Sequence, residues 1–264
     1  PVSFYRAPSS GSVRLTSSTT SVLGRVENSS TDTFPIDGSP PPQPELTETL
    51  HFAQFGGGAG FFSQAILSNL TNSASSVELR MRGQDGQPLT LALDGMGAGG
   101  TFELVLSSGE VRIFETASDG ALQVGSLTVL SERPLTGVAL FGSPFGLAGV
   151  APSQEVSAFQ LPVETRGAQV RTGLAVKNLA ANQVTLELML KNSTGATLAV
   201  AQQALPAEGQ VSLFADEVQW SAPVDFSDFR GQIHAVAIGG NVAATAIQQR
   251  PGQLASLPIA KLDD

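Results

Sequence analysis

Residues 77–93 read VELRMRGQDGQPLTLAL, and their order of residue types decides the fold class. Val77, Leu79 and Met81 alternate with Glu78 and Arg80, then Gln84-Asp85-Gly86 supplies a turn, and Leu89, Leu91 and Leu93 alternate again. An apolar residue at every second position is the signature of a strand with one face buried and one wet, and Asp-Gly between two such runs marks a hairpin. The same pattern recurs outward: Phe102, Leu104 and Leu106 are followed by Val111 and Ile113-Phe114 through a Ser108-Gly109 turn. Helical periodicity is nearly absent, and only Phe61 to Leu70 suits either period. The chain is therefore expected to be all-β and antiparallel.

Residues 52–141 also resemble residues 159–247. Phe52 opens one stretch and Phe159 the other, and AILSNL (65–70) matches LAVKNL (174–179), with Asn69 on Asn178. VELRM (77–81) falls on VTLEL (184–188), DGQPLTL (85–91) on TGATLAV (194–200), and GEVRIF (109–114) on GQVSLF (209–214). Last come GSLTVL (125–130) on GQIHAV (231–236) and PLTGVALF (134–141) on NVAATAI (241–247). What is shared is apolar alternates and turn glycines, the positions that a common sheet arrangement constrains. The expected architecture is two tandem immunoglobulin-like antiparallel β-sandwich domains, 50–150 and 151–264, preceded by an extended arm, 1–49.

Taken together, FAQF, GGG, LSNLTNS, VELRMRGQDGQPL and GALQVGSLTVLSERPLTGVALF resemble tandem immunoglobulin-like repeats of bacterial secreted and surface proteins. That resemblance implies an extracellular module, and its motifs are fold motifs that carry no catalytic residue.

Composition narrows the function. The 264 residues include no Cys, which excludes a disulfide framework, a thiolate metal site and a cysteine nucleophile. A net charge of −9 speaks against nucleic acid. No apolar run approaches the ~20 residues of a membrane-spanning helix. The chain begins at Pro1, read as the product of processing or truncation. More than half of residues 1–49 are Ser, Thr, Pro or Gly, and Pro40 to Pro44 reads as a stiff spacer. Within this arm Val13 and Leu15, then Val22 and Val26, alternate with polar neighbours as in a strand without a nearby partner.

Motifs with possible chemistry have plain readings. Gly95-Met96-Gly97-Ala98-Gly99-Gly100 spells G-x-G-x-x-G, but Thr101 to Leu106 alternate like a strand where a dinucleotide site needs a helix. The Gly56 to Gly60 cluster lacks the Lys-Ser/Thr of a phosphate loop and reads as a loop or bulge. His51 and His234, the only histidines, read as surface residues outside any hydrolytic motif. Asp225 and Asp228 offer at most a weak calcium loop. Sequons occur at Asn28, Asn69 and Asn192, and Lys177, Lys191 and Lys261 leave room for Lys–Asn isopeptide crosslinks.

The expectation is a non-catalytic, secreted, cell-surface structural protein without cofactor or metal. It would be a filament subunit forming a homopolymer by strand addition, with Val13, Leu15, Val22 and Val26 as the subunit interface. Other surface proteins are further candidate partners. The alternative is a monomeric adhesion module carried on the arm as a stalk.

Overall fold

Nine strands form from residues 47–150 because each alternating run finds at least one pairing strand and most find a core for their apolar face. They are β1 (Thr47–Gly57), β2 (Phe62–Ser68), β3 (Ser75–Gly83), β4 (Leu91–Leu93), β5 (Gly97–Gly99), β6 (Thr101–Leu106), β7 (Val111–Glu115), β8 (Gln123–Ser143) and β9 (Gly146–Val150). Residues 155–261 add β10 (Glu155–Val156), β11 (Ala158–Thr165), β12 (Arg171–Asn178), β13 (Val184–Asn192), β14 (Thr197–Leu205) and β15 (Gln210–Phe214). The last four are β16 (Phe229–Ile238), β17 (Val242–Arg250), β18 (Gln253–Leu257) and β19 (Ala260–Lys261). The computed structural model describes residues 47–143 and 146–262, none of them helical. All belong to one compact unit, Leu46–Asp264. The arm residues Val13, Leu15, Val22 and Val26 lie outside the described residues.

In the first half, sheet I is ordered β6-β3-β8-β1 and sheet II is β7-β2-β8-β9. Strand β8 serves both: residues up to Ser131 pair with β1 and β3, and Thr136 to Gly142 pair with β2. The two sheets close over Phe52, Phe55, Leu67, Leu79, Met81 and Phe114, all almost fully buried. The second half repeats this pairing. Sheet III is β14-β13-β16-β11-β19, sheet IV is β15-β12-β17-β18, and β10 also pairs with β17. Its separate core gathers Phe159, Leu161, Leu186, Leu188, Leu190 and Ile233.

Three local expectations are corrected. The Gln84-Asp85-Gly86 turn does reverse the chain, with Arg82 bridging Pro88 and the Leu89 N–H donating to the Met81 carbonyl at 3.1 Å, but the pairing stops there and Ser75 to Arg80 of β3 pair with β6 instead. Residues 91–99 leave the sheet as a separate hairpin, β4–β5, whose Leu91 and Leu93 plug the end of the first core. Likewise β6 and β7 are not a hairpin but neighbours in sequence that sit in different sheets. A turn signal fixes where the chain reverses, not which sheet receives it.

The third correction concerns the match between halves. Phe52 pairs with Leu127 while Leu161, not Phe159, pairs with Ile233, and Leu79 faces Val129 as Leu188 faces Ala235. The sequence match at β1 and β3 is thus displaced by two residues, a slip that period-two alternation tolerates. At β7 it is displaced by one: Ala65 faces Phe114, and its counterpart Leu174 faces Leu213 rather than Phe214. Two anchors hold as matched. Asn69 Nδ2 donates to the carbonyls of Ser73, Leu106 and Ser107, and its Oδ1 accepts the Thr71 N–H. Asn178 makes the same set with Asn182, Leu205, Pro206 and Ala180.

Candidate functional site

A sheet exterior is ordinarily polar, yet β1 and the first half of β8 in sheet I, and β12 and the first half of β17 in sheet IV, are largely buried on both faces. A bulge between Phe52 and Phe55 keeps both rings in the core and turns Ala53 and Gln54 outward. On the same outer face Ser126 and Thr128 of β8 lie among the buried residues. Opposite them stand Ala175 and Lys177 of β12, Gln210 of β15, and Ala243 and Thr245 of β17, all buried. These small and polar side chains let the outer face of sheet I lie flat on the outer face of sheet IV, and this seam joins the halves. It is pinned by Arg82 to Glu208 at 2.9 Å, by Gln210 Nε2 donating to Gln54 Oε1 at 3.0 Å, and by Ser153 Oγ donating to the Ala244 carbonyl at 2.8 Å. Gly86 packs against the Ala207 carbonyl at φ +78°, a contact and a backbone angle that exclude a side chain.

The seam holds two strongly perturbed ionisable groups, Lys177 and His51. Lys177, 4% exposed, donates to Thr128 Oγ1, which also lies 3.4 Å from His51 Nδ1. Burial pushes the Lys177 ammonium down to about 8; Arg82 and Arg80 push the same way, and Glu208 opposes them. Burial and the nearby Lys177 charge hold His51 at about 4, against the pull of Glu155, whose carboxylate is 3.6 Å from Nε2. His51 is therefore not a surface histidine: its side chain is 13% exposed and neutral at pH 7. Sequence reading placed it at a linker junction and had no signal for the second sheet that covers it.

Lysine, threonine and histidine in a row resemble a nucleophile with its base. Thr128 is only 8% exposed, however, and none of the three lines the adjoining cleft. Nearby, Ser126 Oγ and Gln210 Oε1 are buried without a hydrogen-bond partner among the described residues. The row thus acts as a closed polar seam, not as a reactive centre open to substrate.

The adjoining cleft, about 440 Å³, is walled by Phe61, Phe62, Phe141 and Phe214, with Val124 and Ile247. Arg171 lies 3.8 Å over the Phe214 ring and is held there by Asp216 and Glu217 at 2.9 and 2.8 Å. The sequence match sets Phe214 on buried Phe114, but the one-residue slip at β7 turns Phe214 outward into the cleft.

The remaining motifs are placed as follows. Gly97 to Gly99 form β5 of a hairpin and Thr101 opens β6, so no helix follows the G-x-G-x-x-G. Gly56 and Gly57 end β1, and Gly58 to Phe61 make its turn. Asn69 is fully buried with its amide nitrogen engaged, which removes it as a glycosylation acceptor in the folded chain. Asn192 sits in the β13–β14 turn with Oδ1 accepting the N–H groups of Thr194 and Ala196. Asn28 lies outside the described residues. Asp225 caps the Ser227 N–H, and among the described residues no three His, Asp or Glu side chains converge as a metal site. No helix among them is long and apolar enough to cross a membrane. The chain matches no protein-family model, no curated protein and no solved structure.

Proposed function

We propose that this protein is a non-catalytic structural subunit of an extracellular, cell-surface filament, built from two tandem immunoglobulin-like domains. The N-terminal arm of one copy adds as a strand to the next. One observation carries the reading: β6 bonds to β3 on one side and to no strand on the other among the described residues. Its Val105 is exposed and its Phe102 and Leu104 are only partly covered. Long edges without Lys, Pro or a covering element invite another strand. Glu103 lies directly opposite Glu78, whose charge Arg80 takes up, so Glu103 has no ion-pair partner among the described residues. A strand carrying Val13, Arg14 and Leu15 suits this edge: Val13 and Leu15 would cover Phe102 and Leu104 while Arg14 meets Glu103. Arm residues 11–26 include Arg14 and Arg25 and no acidic residue, whereas the rest of the chain is net acidic.

Amide hydrogen exchange on the full chain tests this reading, with Val13→Asp/Leu15→Asp as the comparison. Strand addition gives concentration-dependent protection along 101–106 that the variant loses, and electron microscopy shows threads only for the parent. Exchange at β6 that is identical in both proteins at every concentration would refute it. The second reading, an adhesion module, is favoured by the aromatic cleft; binding of a partner by a chain that stays monomeric would support it instead.

A further inference from the structure

The seam has a geometric consequence beyond one chain. Strand pairing makes sheet III the counterpart of sheet I, and sheet II the counterpart of sheet IV. Sheets I and IV spend much of their outer faces on each other, through β1 and β8 on one side and β12, β15 and β17 on the other. The outer faces of sheets II and III point away from the seam, because each shares a core with its own partner sheet. They are the two halves of a second such contact, left open at opposite ends of the molecule.

Their side chains fit that role. On sheet II, Ile113 of β7 pairs with Ile66 of β2, which pairs with Val138 of β8, so three branched residues form a row across the outer face. Val111 lies one rung along, opposite Ser68, and Ile113 is 53% exposed. In the corresponding row of sheet IV, Ala175 and Thr245 are buried and Ser212 half-buried, at the seam and the lip of its cleft. On sheet III the outer face carries Met189 opposite His234, Val236 opposite Glu187 and the 50% exposed Ile238 opposite Thr185. Charge also repeats. Lys191 occupies the place of Arg82, and Glu110, already paired with Arg112, lies beside Gly109, the counterpart of the Glu208 that Arg82 meets. An apolar row this continuous on a sheet exterior marks an association surface.

We propose that copies of this chain stack head to tail, the outer face of sheet II in one copy resting on the outer face of sheet III in the next, repeating between chains the contact that the seam makes within one. A heterologous contact of this kind has no closed end and grows a linear array. It goes beyond the arm-mediated reading and does not require it.

The test uses the full chain carrying Val13→Asp/Leu15→Asp, so that arm docking is removed and stacking alone is read by sedimentation. The mass-average should climb with concentration past that of a dimer of the 27.2 kDa chain. Ile113→Glu and Met189→Glu should each weaken association at least about tenfold, since each buries an unpaired charge. An equal mixture of the two variants should stop at a dimer, because each retains the face the other lacks. Ser118→Glu, an exposed loop charge, should change nothing. A parent that stays monomeric up to about 1 mM overturns the proposal. So does Ile113→Glu abolishing association while Met189→Glu leaves dimers, which indicates a symmetric contact. Equal loss with Ser118→Glu overturns it too. None of these outcomes bears on the arm, which is read separately by exchange at β6.

Discussion

In the first half the chain passes from sheet I to sheet II without leaving the strand: β8 runs unbroken from Gln123 to Ser143. In the second half the same path is cut at Gly239-Gly240 into β16 and β17, with Gly239 at φ +97°. The unbroken version must cross Pro134, which has no N–H to give a ladder. Side chains take over there: Ser75 Oγ accepts the Arg133 N–H, and Ser131 Oγ donates to the Arg133 carbonyl. The first half also carries the extra β4–β5 hairpin, whereas β14 runs straight along β13. One pairing scheme is thus reached with different joints and inserts. What stays constant is the row of buried alternates and one asparagine in each half.

That contrast can be broken most severely at the asparagines. Asn69→Ala and Asn178→Ala each strand one buried and two partly buried carbonyls, and each should cost about 3 kcal/mol in urea unfolding. The two losses should add to within about 0.5 kcal/mol, since the sites lie in different cores. A large loss for one and a negligible loss for the other would show that only one half depends on this anchor.

Next in size is Lys177, whose counterpart on exposed sheet II is Ser68. Burial lowers the lysine from 10.5 to about 8. Below pH 8 both folded and unfolded chains hold the proton and the full cost of the buried charge is present. Between pH 8 and 10.5 the folded chain has released it first, so stability rises with pH, on the order of 3 kcal/mol in total. Lys177→Met should remove that slope and leave the protein at least as stable at pH 7. Ser68→Lys, on the open face, should change melting by less than about 0.5 kcal/mol and add no slope.

His51 gives the acid-side equivalent. Its unfolded value of 6.5 falls to about 4 on folding, so the folded chain is the poorer proton binder and stability is lost as pH drops from 6.5 towards 4. The loss should reach about 3 kcal/mol and vanish in His51→Gln. Gln is the residue found at the matching place in the second half, where Gln160 faces His234 as His51 faces Thr128.

How far the sequence could be read follows from the same residues. Alternation identified β3, β6, β7, β12 and β13, because burying one face imposes period two wherever a strand has a wet side. It could not place β6 and β7 in different sheets, since crossing between sheets leaves no local mark. The seam was hidden for a related reason. Ala53, Ala175, Ala243 and Ser126 read as solvent-side positions, and only a second sheet laid against them makes them core. Asn69 and Asn178 were legible as a matched pair, but their role as carbonyl anchors needs the chain reversal that brings Leu106 and Leu205 to them.

The smallest test returns to β7, where matching glycine with glycine misaligned the halves by one residue. Gly109 is at φ +72° and its counterpart is Glu208 at φ +56°, not Gly209. Nothing lies within 4 Å of a side chain built at Gly109, so Gly109→Ala should cost only the backbone penalty, about 1 kcal/mol. Glu208→Gly relieves the same strain but gives up the ion pair with Arg82, worth at most about 1 kcal/mol where partly exposed. The two terms nearly cancel, and the expected change in melting is close to zero. A clear gain from Glu208→Gly would mean that the ion pair contributes little. A clear loss would mean that Glu208 is a principal clamp of the seam, and the second half would then be holding a strained residue for the sake of its contact with the first.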